Sequence, residues 1–190
     1  MDATTLREAV LDHLPRETVK VYAEQAGVQQ RARKLDLYAL VVALVMSAGS
    51  DDSGRQADVY EAYRDEGAPE VVRGSLYAWF TEMLAELMRR LLDDAMEAAW
   101  ERPPLLTGDL AELGVKDWLA VDSETVTLPD ELAGVFPATS TAAGLKVHKV
   151  YSLGRNNIVG IEITPARDHD APVLRLQERW RGMGLIVDLG

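Results

Sequence analysis

Two aspartates stand in matching settings. Asp122 follows Trp118-Leu119-Ala120-Val121, and Asp188 follows Leu185-Ile186-Val187. A short apolar run bounded by turn residues reads as a buried strand. Each carboxylate is therefore expected at or near the end of such a strand. If the two strands are neighbours, the carboxylates meet at one edge of a sheet and can hold divalent metal ions. Two metals a few ångströms apart clamp the attacking and leaving oxygens of a phosphodiester displacement. Mg²⁺ suits such a site, because it takes a few carboxylates together with water and substrate phosphate. An aspartate after an apolar strand also serves as a turn former or helix cap, so the pattern alone leaves both readings open.

The elements that must position these acids begin with helices. Leu6 to Leu14 is amphipathic and ends at Pro15. Arg16 to Ala26 forms a second helix closed by Gly27. Leu35 to Met46 is apolar nearly all round, which predicts a helix at the centre of a bundle. Gln56 to Glu66 is amphipathic. Ser75 reads as the N-cap of a long helix from Leu76 to about Trp100, ended by Pro103 and Pro104. The character then changes. Trp118 to Val121 reads as a strand that Glu124 to Leu128 extends, and Leu145 to Tyr151 alternates with period two. Gly154 to Asn157 is a turn, and Ile158 to Thr164 is a third strand. Asp170 caps a helix that opens at Ala171 and Pro172 and runs to about Arg181, and Leu185 to Val187 is the last strand. A right-handed crossover places that last strand parallel to an earlier one.

The 190 residues suffice for one sizeable domain, or for a small domain beside a partial one. The chain has no cysteine, which excludes disulfides, thiolate metal sites and cysteine nucleophiles. His13, His148 and His169 are scattered, which argues against zinc. Met1 to Lys20 has no targeting pattern, and Leu37 to Met46 falls short of the roughly 20 apolar residues of a membrane span. A cytoplasmic protein with no membrane partner is expected.

The segment from Lys34 to Gly190 resembles the insertion-sequence-four family of transposases. The stretch Leu119-Ala120-Val121-Asp122-Ser123-Glu124-Thr125-Val126-Thr127-Leu128-Pro129 is similar to the family's first-aspartate motif. Phe136-Pro137 and Gly144-Leu145-Lys146-Val147-His148 resemble the segment that follows it. Ala166-Arg167-Asp168-His169-Asp170 resembles the turn before the crossover helix, and Leu185-Ile186-Val187-Asp188-Leu189-Gly190 the second-aspartate motif. Glu124 is a departure, since the family pattern requires no acid there. The resemblance implies an α/β chain: a helical N-terminal domain over 1–115, then a partial RNase H-like catalytic domain over 116–190. In that domain strands one to three are antiparallel, and a crossover helix leads to a parallel fourth. It implies DDE transposase activity, the metal-dependent cleavage and strand transfer of DNA at transposon ends. Asp122 and Asp188 would be the catalytic and metal-binding acids, with Mg²⁺ or Mn²⁺ as cofactor. The family's third acid, a glutamate on a later helix, has no counterpart here. The two-metal site is thus expected to be incomplete and this chain alone inactive. An inert fragment that binds DNA, or a full-length transposase, is the alternative.

Duplex DNA at transposon ends is the partner that the resemblance implies, with a second copy or a full-length transposase beside it. The candidate contacts are Arg31, Arg33 and Lys34 between helices, and Lys146, His148 and Lys149 on the second strand. Arg89 and Arg90 form a further basic pair. The net charge of −11 opposes this, because nucleic-acid binding rests on basic surface. An acid excess with scarce lysine also marks proteins adapted to very salty cytoplasm. At ~1 M salt the Debye length is about 3 Å, and steering by net charge largely vanishes.

Overall fold

Glycine, proline and a few side-chain caps set most element ends. The computed structural model describes residues 3–28, 35–49, 55–168 and 177–187. Two compact units divide the chain, Met1–Ala95 and Met96–Gly190.

The first unit is helical. It contains α1 (Ala3–His13), α2 (Arg16–Gln25), α3 (Leu37–Gly49), α4 (Gln56–Asp65), α5 (Arg73–Tyr77) and most of α6 (Glu82–Glu101). Pro15 occupies the N-cap position of α2, and Gly27 ends it at φ +73°. Asp36 caps α3: its Oδ1 accepts the Tyr38 and Ala39 amides at 2.9 and 3.2 Å. As its composition predicts, α3 lies in the middle of the core, with Leu40, Val41, Val42 and Ala43 all fully buried. Val19 and Ala23 of α2, and Val59 and Tyr63 of α4, pack into the same core at four-residue spacing, together with Leu84, Leu87 and Leu91 of α6. Among the described residues no helix is long and apolar enough to cross a membrane.

The expected helix from Leu76 to Trp100 is two helices. Ser75 lies inside α5, whose N-cap position is Val72. The chain breaks at Ala78–Thr81, and Thr81 restarts it by accepting the Leu84 amide on its Oγ1 at 3.3 Å. Glu82 then complements the positive end of α6.

The second unit begins within the last turns of α6, earlier than residue 115, because Ala99 packs with Leu119, Val159 and Trp180. A short helix, α7 (Asp109–Glu112), precedes β1 (Trp118–Leu128), β2 (Ala143–Ser152), β3 (Asn157–Pro165) and β4 (Gly184–Val187). The strands form one sheet in the order β3-β2-β1-β4. Strands β1, β2 and β3 pair antiparallel, and β4 pairs parallel to β1, as the sequence predicts. The fold is thus mixed α/β. The expected crossover helix lies largely at 169–176, outside the described residues. Its described end differs from the expectation: Gln177 is extended and Glu178–Trp180 is a 3-10 turn. Trp180 is drawn into the core, and Gly182, at φ +81°, turns the chain into β4.

Candidate functional site

Strand pairing decides which side chains share a face of the sheet, because residues opposite one another project to the same side. Leu119, Val121 and Ser123 of β1 share a face with Ser152, Val150 and His148 of β2. This is the covered face, where Leu119 packs with Ala99, Val159 and Trp180. Ala120, Asp122 and Glu124 share the other face with Tyr151, Lys149 and Val147. That face is open: Val126, Ile163 and Ile186 are exposed on it.

Asp122 is exposed and lies within an eleven-residue strand rather than at its end. Among the described residues no hydrogen bond or ion pair engages its carboxylate. Asp188 lies outside the described residues. The parallel pairing of β1 with β4 runs from Trp118 opposite Gly184 to Val121 opposite Val187. Among the described residues no group of three or more His, Cys, Asp or Glu side chains could hold a metal ion.

Lys149 stands directly across from Asp122, yet its ammonium lies 2.5 Å from Oε2 of Glu124, the diagonal neighbour on the same face. The hydrogen bond from Lys149, and then its charge, hold the Glu124 carboxyl below its ordinary value. Lys146 donates from Nζ to the Asp168 carbonyl at 3.0 Å. His148 is buried on the covered face, where its Nε2 shares a 2.9 Å hydrogen bond with Thr164 Oγ1. These three candidate DNA contacts are therefore engaged within the unit. Arg31, Arg33 and Lys34 lie outside the described residues. Arg89 bonds Glu86 and Asp93, while Arg90 bonds Glu86 and Gln25.

One polar cluster went unread in the sequence. Asp117, immediately before β1, is 0% exposed. Its carboxylate forms an ion pair with Arg155 and accepts the Ser152 hydroxyl at 2.6 Å. It also accepts the Trp118 and Gly154 amides at 2.8 and 2.9 Å. Arg155 donates from Nε to the Trp100 carbonyl at 2.9 Å, and its guanidinium lies 4.8 Å from the Trp100 ring centroid. Arg179 lies 4.5 Å from the same centroid. The Asp117 carboxylate is fully partnered and closed to solvent, which makes the cluster a clamp on the β2–β3 turn rather than a reactive centre. Its hydrogen-bonded members lie up to 55 residues apart, and the one local signal was the Gly154–Asn157 turn.

No protein-family model matches the chain, and no curated protein and no solved structure matches it.

Proposed function

We propose that this chain carries the first two carboxylates of a DDE-type transposase core, an RNase H-like sheet that uses Mg²⁺ or Mn²⁺ to cut and join DNA at element ends. One observation carries the reading: Val121 stands beside Val187 in the parallel pair, and the residue that follows each of them in sequence is aspartate. Carboxylates following such a matched pair can share a hard cation that also takes water and phosphate oxygens. The strand order β3-β2-β1-β4, with β4 parallel to β1, supports the same reading. So does the open face that carries Asp122, since a duplex needs access to the metal.

The test is Fe²⁺ substituted for Mg²⁺, with ascorbate and peroxide, so that radicals formed at the ion cut the nearby backbone. Fragments ending near residues 122 and 188, lost in Asp122→Asn, are expected. Cleavage elsewhere, or cleavage indifferent to Asp122→Asn, would sink the proposal.

The internal engagement of Lys146, Lys149, Arg89 and Arg90 favours a second reading, an inert chain that meets a transposase rather than DNA. Gel shifts with duplex DNA over a range of salt separate the two. Binding that weakens as salt rises supports DNA contact, and absence of binding throughout supports the second.

A further inference from the structure

Lys149 has two acids within reach on the open face of the sheet. Asp122 is its directly opposed partner in the antiparallel pair, and Glu124 is the diagonal one. Directly opposed side chains are the closer neighbours, so an Asp–Lys ion pair is the default arrangement here. The ammonium instead sits on Glu124, at 2.5 Å from Oε2. Asp122 is left exposed and, among the described residues, without a hydrogen-bonded or ion-paired partner.

The geometry points to Glu124 as a positioning residue that holds Lys149 away from Asp122 and so keeps the Asp122 carboxylate open to a divalent cation. This rests on the metal-binding reading of Asp122. An ammonium paired with Asp122 would have to be displaced before a cation could bind, and it would repel the cation from close range. Glu124 removes that competitor without removing its charge from the face. The arrangement gives a role to the one acid that departs from the family motif. It also turns Lys149 from a candidate DNA contact into a side chain whose location governs the neighbouring carboxylate.

The experiment uses the full chain, with Mn²⁺ as the probe. Binding is followed by water-proton relaxation, and circular dichroism verifies the fold of each variant. In Glu124→Gln, Lys149 is free to join Asp122, and Mn²⁺ binding should weaken about threefold to fivefold, the scale of one exposed ion pair. The double variant Glu124→Gln/Lys149→Met removes competitor and holder together and leaves the local net charge as in the parent. It should bind Mn²⁺ within about twofold of the parent, on the same scale of exposed ion-pair energies. If the double variant stays as weak as Glu124→Gln, Glu124 is itself a ligand and the inference is overturned.

A metal-free measurement tests the parking directly. Through-hydrogen-bond NMR correlations of the Lys149 ammonium should run to the Glu124 carboxyl in the parent and to the Asp122 carboxyl in Glu124→Gln. A Lys149 that does not move to Asp122 overturns the inference whatever the metal does. Unchanged Mn²⁺ binding in Asp122→Asn overturns the metal reading instead, while the NMR result still reports where Lys149 sits.

Discussion

Arg155 reaches Asp117 across 38 residues of sequence and forms an ion pair with a carboxylate wholly shut off from solvent. Removing one member of such a pair leaves the other charge enclosed without compensation, which costs about 3–5 kcal/mol. Asp117→Ala should therefore destabilise the second unit by about 3 kcal/mol or more. Urea titration followed by far-ultraviolet circular dichroism measures this. A loss below about 1 kcal/mol, the worth of an exposed pair, would show that the clamp is dispensable.

Gly154 is required by space. A Cβ there would lie 2.7 Å from Asp117 Oδ1 and 2.7 Å from Pro104 Cβ. Neither neighbour is the free end of a flexible chain. Gly154→Ala should cost about 1–3 kcal/mol through overpacking. An unchanged denaturation midpoint would mean that the β2–β3 turn can shift without loss.

Thr81 restarts the helix after the break at Ala78–Thr81. Loss of a threonine cap costs about 1 kcal/mol. Thr81→Ala should lower stability by that amount, and Thr81→Ser or Thr81→Asp should retain most of it. Equal effects from all three substitutions would show that the hydroxyl does not cap α6.

Glu86 carries a pH prediction. The Arg89 hydrogen bond, with Arg90 adding to it, holds its carboxyl down to about 2, from an ordinary value of 4.5. A carboxyl depressed by folding stabilises the folded state above its unfolded value and loses that contribution as pH falls through the folded one. The first unit should thus lose stability between pH ~4.5 and ~2, and Glu86→Gln should flatten that loss. Melting curves taken across this range decide it, since identical pH profiles for parent and variant would exclude a role for Glu86.

How much of this was legible in the sequence depended on whether the signal was local. The period-two run from Leu145 to Tyr151, the turn at Gly154–Asn157 and the apolar stretch at Trp118–Val121 gave the strands, and the crossover rule gave a parallel fourth strand. The break before α6 was hidden because Leu76, Phe80 and Leu84 keep a four-residue spacing across it. Hydrophobic periodicity reports a face, not continuity, and Thr81 was the overlooked signal. Asp122 stood out as an acid after an apolar strand, but its place in the middle of β1 and its open face required the register. Lys149 was legible as a basic residue on a strand. That it faces Asp122 and binds Glu124 depends on pairing between segments about 25 residues apart, which composition cannot supply. The Asp117–Arg155 clamp had no local signature beyond the Gly154–Asn157 turn.

The parallel pairing of β4 with β1 also sets an order of events. Strands β2 and β3 are joined by four residues and β1 and β2 by fourteen, so their contacts can form early, those of the β2–β3 hairpin on the microsecond scale typical of hairpins. Pairing Trp118 with Gly184 requires closure of a far longer loop, whose entropy must be overcome before any contact rewards it. The β4 amides should therefore gain protection last in pulse-labelled hydrogen exchange during refolding. Until then β1 presents a bare strand edge, and the alignment of Val121 with Val187 is the final geometric decision the chain makes.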